Sequence, residues 1–303
     1  MFHTLLDARG LEKSLGGKPV VQGIDLTCAA GEVLGLLGPN GAGKTTTLRM
    51  CYGYLRADKG SISIAGHDLA REPDQARRML GVCTQDDTFD ADFTVRGNLV
   101  QTGRYFRPRQ PDLAARIENV LDRFGLREFA EQKPDTLSGG YKRRLMIARS
   151  VIHQPRVAFL DEPTTGLDPQ ARVAVWELIS SLRAEGLAIV LTTHYMDEAA
   201  KLSDRLQVIQ SGRVRANGSP ADVLGDVVGE HVVLLPAGTQ ADAALAWFRS
   251  RGLRPAQVLA SWHIPLDAQG LAAFVAAFPD LTYEVRPPTL DDLFLALSGE
   301  APQ

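Results

Sequence analysis

The sequence predicts an α/β protein built around a parallel β-sheet, with a smaller α+β unit toward its carboxyl end. Short apolar runs at residues 33–37, 157–160 and 188–191 are typical of buried parallel strands, and helical patterns separate them. A glycine-rich loop stands between the first of these strands and a helix pattern. Beyond residue 229, strand and helix patterns follow one another in the order βαββαβ.

Composition excludes several classes of protein. The chain has 303 residues, 45% of them hydrophobic and 23% charged, which is the ordinary balance of a globular protein of about two domains. The net charge of −3 gives no overall reason to bind nucleic acid. Three cysteines without a CxxC spacing favour a reducing compartment. No signal-peptide pattern and no apolar run of about 18 residues is seen, so we expect membrane attachment only through a partner.

The amino-terminal half predicts two subdomains around the parallel sheet. Residues 11–15 and 20–28 flank a Gly16-Gly17 turn, and with residues 61–64 they predict an antiparallel β subdomain. Residues 93–153 predict a helical subdomain, in which Gly125 ends a helix. One apolar stripe at helical spacing carries this prediction: Leu113, Ile117, Val120, Leu121 and Phe124.

The second unit begins near residues 218–229, so we divide the chain into domains 1–225 and 226–303. The predicted order is strand 232–235, helix 241–250, strands 257–260 and 262–266, helix 268–278 and strand 281–286. That order is typical of the ferredoxin-like arrangement. A last helix follows, with a capping box formed by Thr289 and Asp292.

The glycine-rich loop, GPNGAGKT at residues 38–45, predicts a phosphate site. It fits the pattern G-x-x-x-x-G-K-[ST] between a strand and a helix, where backbone N–H groups and the helix start face one anion. Lys44 is expected to reach the β- and γ-phosphates of ATP, and Thr45 to ligate Mg²⁺. The expected ATP contacts are Gly38, Pro39, Asn40, Gly41, Ala42, Gly43, Lys44, Thr45 and Thr46.

Two further strands end in polar residues. The run at 157–160 ends in Asp161-Glu162, which predicts acids at the edge of the sheet where α/β proteins bind ligands. Asp161 suits Mg²⁺, and Glu162 is the candidate to orient or deprotonate a water. The run at 189–193 leads to His194, which is a candidate for a γ-phosphate contact or for positioning that water.

A second anion-binding turn is predicted at Ser138, Gly139 and Gly140, before a helix that begins near Tyr141. Positive residues in the first helical turn oppose the helix dipole, and a bound anion would relieve that cost: Lys142, Arg143 and Arg144. One phosphate loop and a second anion-binding turn in one chain favour a head-to-tail homodimer, in which each turn closes over the partner's ATP.

Together these motifs resemble the nucleotide-binding subunit of an ABC transporter, over roughly residues 4–225. The resemblance rests on the phosphate loop, Gln85, residues 137–141, residues 159–163, residues 166–168 and His194. It implies an ATPase with a P-loop NTPase core. It also implies that Gln85 contacts Mg²⁺ and the attacking water, that Asp168 lies at the dimer interface by the partner's ATP, and that residues 95–136 face a permease.

A finer resemblance is to exporter ATPases of the drug-resistance and nodulation (ABC-2) type, carried by residues 94–99, 103–106, 194–199 and 288–294. It implies a cytoplasmic protein, peripheral on the cytoplasmic face of the cell membrane through a separate permease that exports drugs, lipo-oligosaccharides or other amphiphiles. We expect no nucleic-acid partner and no direct membrane insertion.

Two positions depart from the family pattern. Leu15 stands where the family usually has an aromatic residue, so we expect an apolar contact to adenine without stacking. Thr84 replaces the proline that usually precedes Gln85, which is expected to loosen this loop.

Two alternatives stay open. A soluble ABC ATPase acting on ribosomes or DNA shares these motifs, although this chain has one cassette and no long heptad run between Thr45 and Ser138. A P-loop kinase shares the phosphate loop, but it needs neither the Ser138 turn nor His194.

Overall fold

The computed structural model describes residues 3–106, 112–238 and 241–298. Its strands are β1 (Thr4–Leu15), β2 (Lys18–Ala29), β3 (Val33–Leu37), β4 (Lys59–Ile64), β5 (His67–Asp68), β6 (Leu80–Cys83), β7 (Val157–Asp161), β8 (Ala188–Thr192), β9 (Arg205–Gln210), β10 (Arg213–Gly218), β11 (His231–Pro236), β12 (Ala256–Val258), β13 (Ser261–Leu266) and β14 (Glu284–Arg286). Its helices are α1 (Lys44–Cys51), α2 (Pro73–Arg78), α3 (Val95–Tyr105), α4 (Leu113–Arg123), α5 (Gly139–Val151), α6 (Pro169–Ala184), α7 (Met196–Leu202), α8 (Pro220–Val227), α9 (Ala241–Ser250), α10 (Ala268–Ala277) and α11 (Leu290–Ser298). Within the described ranges, no helix has both the length and the apolar character needed to cross a bilayer.

The central sheet has the strand order β10-β9-β3-β8-β7-β6. Strands β9, β3, β8, β7 and β6 run parallel, and β10 is antiparallel to β9. Strands β3 and β8 are buried at every residue, which explains their continuous apolar sequence. The predicted α/β class with a parallel sheet is therefore confirmed.

The predicted antiparallel β subdomain is a second sheet, in the order β2-β1-β4-β5. Its first strand begins at Thr4, earlier than the alternation at residues 11–15 suggested, because register shifts along β1 interrupt the simple two-residue period. Leu6, Leu11, Ile24 and Leu26 face inward and pack in one core with central-sheet residues such as Leu34.

Helices α3, α4 and α5 form the predicted helical subdomain. The apolar stripe of α4 packs in a core with Leu145 of α5, and Gly125 follows α4 with φ +63°, the left-handed geometry of a helix stop. Helix α5 begins at Gly139, two residues before the predicted start near Tyr141, because Ser138 takes the N-cap position.

Strands β5, β6, β9 and β10 were not predicted, and neither were helices α2, α7 and α8. Helix α8 spans the predicted domain boundary at residues 225/226 and packs on β10. It begins with a full capping box between Ser219 and Asp222.

The carboxyl-terminal sheet has the order β12-β13-β11-β14, with every neighbouring pair antiparallel. Helices α9 and α10 each connect two strands separated by one other, which is the predicted ferredoxin-like βαββαβ topology. Phe248 and Phe274 from the two helices pack against each other in its core, with ring centroids 4.8 Å apart and ring planes tilted by 32°.

Helix α11 joins this unit to the rest of the chain. Leu290, Leu293 and Leu297 pack in a cluster with Met196 of α7 and Val223 of α8. Half of the predicted capping box is present: Asp292 accepts from the Thr289 N–H at 2.8 Å, whereas the Thr289 hydroxyl donates to Asp292. Burial alone would raise the pKa of Asp292, but hydrogen bonds, chiefly from Arg286, hold it at about 2.

A buried histidine makes the stability of the core depend on pH. His153 follows α5 and donates from Nε2 to the Leu80 carbonyl at 2.9 Å, with its ring stacked on Phe106 at 3.6 Å. Burial lowers the pKa of His153 from 6.5 to about 4. Between these pH values the unfolded chain holds a proton that the folded chain does not, so acid destabilises the folded state.

We therefore expect the free energy of unfolding to fall between pH 6.5 and pH 4, by up to about 3 kcal/mol from this group. His153→Gln should remove that part of the pH dependence, because glutamine does not titrate. Urea unfolding of both proteins across this pH range measures the difference. Identical pH slopes would contradict the prediction.

Candidate functional site

The strand order brings the predicted site residues to one edge of the central sheet. Strands β3, β8, β7 and β6 are successive parallel neighbours, so their carboxyl ends lie side by side. The phosphate loop follows β3, His194 follows β8, Asp161 ends β7 and Gln85 follows β6. Ligands of open α/β sheets bind at this edge.

The phosphate loop requires glycine at two of its positions. Gly38 has φ +147°, and a Cβ there would lie 2.0 Å from the Ile209 carbonyl oxygen. Gly43 has φ +105°, and a Cβ there would lie 2.7 Å from the Val20 carbonyl oxygen. The loop can therefore approach strands β2 and β9 only without these side chains.

The loop presents several free N–H donors. Helix α1 has no side-chain N-cap hydrogen bond, and in the described chain no protein acceptor faces the N–H groups of Gly41, Gly43, Lys44 and Thr45. The Lys44 ammonium folds over the loop and donates to the carbonyls of Gly38 at 2.8 Å and Pro39 at 3.1 Å. Converging donors and one ammonium fit the oxygens of a phosphate chain.

The charge of Lys44 interacts with the two acids at the end of β7. Burial lowers the pKa of Lys44, and the charges of Glu162 and Asp161 oppose that shift. The adjacent hydroxyls differ in use: Thr45 is exposed, whereas Thr47 is buried and its hydroxyl donates to the Gly43 carbonyl at 2.9 Å. The Thr45 hydroxyl is therefore available to a metal ion, whereas the Thr47 hydroxyl is not.

Asp161 is held in place by a neighbouring strand. Its Oδ1 accepts a hydrogen bond from the Thr192 hydroxyl at the end of β8. Mg²⁺ in phosphate sites takes one or two carboxylates and completes its shell with phosphate oxygens and water. Asp161 and Thr45 supply hard oxygen donors of that kind, so the residues present fit Mg²⁺ bound with ATP.

Glu162 has an unusual backbone conformation. Its φ is +48°, which costs a residue with a side chain about 1–3 kcal/mol. Its N–H donates to both the carbonyl and the hydroxyl of Thr192 at 3.1 Å. Its Oε2 accepts from the Thr165 hydroxyl at 3.0 Å and lies 3.4 Å from Nδ1 of His194. The structure therefore places these two predicted residues in contact.

Gln85 lies one strand farther along the edge. Gln85 is exposed, and its side chain makes no hydrogen bond within the described part of the chain. Thr84 closes a short turn by donating from its hydroxyl to the Asp86 carbonyl at 3.0 Å.

Arg143 corrects the interpretation of the Ser138 turn. The sequence grouped it with two positive residues that oppose the helix dipole, yet it is buried, with 6% of its surface exposed. Its guanidinium donates to main-chain carbonyls of two segments: Thr84 (2.8 Å), Gln85 (3.4 Å), Asp161 (3.1 Å), Glu162 and Pro163 (2.7 Å). Its positive charge is therefore directed at the edge of the sheet and not at an anion on the turn.

The Ser138 turn itself is open. Ser138 and Gly139 are exposed, and Ser138 is the N-cap of α5 without a side-chain cap bond. The turn lies beside the start of α6, because a Cβ on Gly140 would meet that of Ala171 at 2.9 Å. Asp168, predicted at a dimer interface, is exposed and caps α6 by accepting from the Ala171 N–H at 2.8 Å.

Leu15 lies where the β1–β2 hairpin turns, opposite Lys18, with 45% of its surface exposed. The same hairpin contributes Val20, whose carbonyl limits Gly43. The Leu15 side chain is therefore accessible to a ligand on the antiparallel β subdomain, which packs beside the phosphate loop.

Sequence reasoning missed Glu198 and Thr192. Glu198 is fully buried in α7, where its Oε1 accepts from the Thr164 hydroxyl at 2.8 Å and the Trp176 indole at 2.9 Å. It therefore links the helix after His194 to the segment after Glu162. The available signal in the sequence was the pair of acids, Asp197 and Glu198, which stands among apolar residues after His194.

Comparison with known proteins agrees with this geometry. Residues 21–165 match the family model described as ABC transporter. "Nod factor export ATP-binding protein I" of Burkholderia lata is 42% identical over 98% of each chain. The protein of the same name from Rhizobium johnstonii is also 42% identical, over 97% of this chain and 94% of that one.

Solved structures give the same answer. One titled "Structure of ATP binding subunit of ABC transporter" has a TM-score of 0.68 and 28% identity, covering 73% of this chain and 92% of that chain. The cbiO1 protein of Clostridium perfringens, part of the ABC transporter complex cbiONQ, has a TM-score of 0.68 and 27% identity, covering 74% of this chain and 92% of its own.

Proteins of this kind hydrolyse ATP with Mg²⁺ as the usual partner ion. The chain is thus an ATPase, and its similarity to the Nod factor export proteins extends over nearly its whole length. It belongs to the ABC transporter family, as an ATP-binding protein.

Proposed function

We propose that this chain powers a separate membrane permease that exports an amphiphilic small molecule, a drug or a glycolipid. The observation that carries the proposal is the edge of the central sheet, where a phosphate loop, two acids and a histidine meet, together with a second open turn at the start of α5. The names of the similar proteins, which concern Nod factor export, support an amphiphilic cargo.

A head-to-tail homodimer would complete the site. The phosphate loop and the Ser138 turn both carry N–H groups that no protein acceptor in the described chain satisfies. The loop is exposed at Asn40, Gly41 and Thr45, and the turn is exposed at Ser138 and Gly139. In a twofold pair, each Ser138 turn closes over the γ-phosphate bound by the partner's loop. Asp168 beside that turn then lies at the same interface. ATP binding joins the subunits, and hydrolysis separates them.

The residues at the edge divide the reaction between them. Lys44 and the loop donors bind the phosphates, and Asp161 with Thr45 holds Mg²⁺, which neutralises the developing charge on phosphate oxygens when bound. Glu162 orients or deprotonates the attacking water. His194, in contact with Glu162, fixes that carboxylate and approaches the γ-phosphate. Gln85 contacts Mg²⁺ and the water from the next strand end, and Leu15 contacts adenine.

The helical subdomain would contact the permease and hold the ATPase at the cytoplasmic face of the membrane. Two of its aromatic side chains support a docking role, because Phe93 is 39% exposed and Tyr105 is 85% exposed.

Glu162→Gln should leave ATP binding intact and slow hydrolysis by about 10²-fold or more, because an amide cannot accept the proton of water. Steady-state phosphate release and nucleotide titration measure the two effects. Glu177→Gln, an exposed acid on α6, is the matched control and should hydrolyse ATP at the normal rate. Unchanged turnover in the Glu162 variant would remove it from the reaction.

Ser138→Arg should abolish hydrolysis while each monomer still binds ATP, because the large side chain would occupy the partner's γ-phosphate site. Ser180→Arg, at an exposed serine on α6, is its control. The specific activity of the unmodified protein should also rise with protein concentration. Full activity in a strictly monomeric sample would contradict the shared site.

Export predicts a membrane partner. Co-expressed with a polytopic membrane protein encoded beside it, the chain should co-purify with that protein in detergent. Inverted vesicles containing both should accumulate a fluorescent amphiphile only with ATP. Lys44→Ala should still co-purify but support no uptake, because it lacks the phosphate contact. Absence of both co-purification and uptake would contradict export.

A further inference from the structure

Arg143 connects the helix of the Ser138 turn to two loops of the candidate catalytic site. It lies in α5 five residues after Ser138, and it reaches the segment after β6 and the segment at the end of β7. Every acceptor is a main-chain carbonyl. The arginine guanidinium is planar and carries five N–H donors in fixed positions, so one side chain can bind carbonyls of two chain segments at once. A lysine ammonium has three donors on one atom and cannot span both segments.

The contacts fall on the residues assigned to water activation. Glu162 keeps a left-handed backbone, and both of its peptide groups are fixed: Thr192 accepts from its N–H, and Arg143 donates to its carbonyl. Strained backbone persists only where the surroundings hold it. The same guanidinium donates to the carbonyls of Thr84 and Gln85, in the loop where threonine replaces the usual proline.

We propose that Arg143 is a positioning residue for ATP hydrolysis: it sets the Glu162 carboxylate and the Gln85 loop relative to the Ser138 turn on its own helix. This inference rests on the proposed role of Glu162. When the Ser138 turn closes onto the partner's ATP, helix α5 shifts with it, and the Arg143 guanidinium shifts the Glu162 carboxylate in turn.

The test is a double-mutant cycle between Arg143→Gln and Glu162→Gln, read by single-turnover ATP hydrolysis. Arg143→Gln alone should lower kcat by about 10²-fold with the Kd for ATP unchanged, because a small displacement of a reacting group costs that much. In the Glu162→Gln background, Arg143→Gln should produce a much smaller further loss, since its effect through the carboxylate is already gone and only its effect through the Gln85 loop is left. Arg143→Lys should recover part of kcat, as one ammonium can bind some of these carbonyls.

Arg205→Gln is the control for losing an arginine that donates to a main-chain carbonyl elsewhere in the fold. Arg205 donates to the Thr27 carbonyl and pairs with Glu32, away from the edge of the sheet. We expect it to lower the Tm without lowering kcat. If Arg143→Gln does not fold, Arg143→Lys takes its place in the same cycle.

Two results would overturn the proposal: an unchanged kcat in the Arg143 variants, or an equal fold-loss with and without the Glu162 carboxylate. A failure of the proposed role of Glu162 looks different, because Glu162→Gln alone would then hydrolyse ATP normally.

Discussion

Four neighbouring parallel strands end at one edge of the central sheet, and the candidate site depends on that alignment. Each strand delivers one chemical group there: the phosphate loop, a histidine, a pair of acids and a glutamine. Parallel pairing keeps all four groups on the same side, because the strands share one direction. A strand of reversed direction among them would deliver its group to the opposite edge.

The groups at this edge are held by hydrogen bonds from other segments of the chain. Thr192 at the end of β8 fixes the Asp161 carboxylate and the Glu162 N–H, and Arg143 of α5 binds the carbonyls of both acids. Glu198 fixes the segment that follows. Pre-positioned groups of this kind lower the reorganisation that a reaction requires. The phosphate loop and the Ser138 turn differ from these groups, because their N–H donors have no protein acceptor in the described chain and can bind an anion.

The carboxyl-terminal unit is joined to the rest of the chain by helix α11 and by Val232 of β11, which pack in the same apolar cluster. Helix α11 packs its leucines against α7, which begins two residues after His194, while Asp292 of the same helix binds Arg286 on β14. The small sheet is therefore connected through α11 to the helix that follows His194.

Sequence alone determined the class of the fold, the phosphate loop, the acids after β7 and the βαββαβ order, because these depend on local periodicity and on short-range spacing. It missed β5, β6, β9, β10, α2, α7 and α8, and it misread Arg143 as a first-turn charge. Only the tertiary structure decided that β8 lies between β3 and β7, which brings His194 to Glu162. Only it directed Arg143 into the sheet edge. Strand order and the partner of a buried charge are set by contacts between residues distant along the chain, and no local pattern records them.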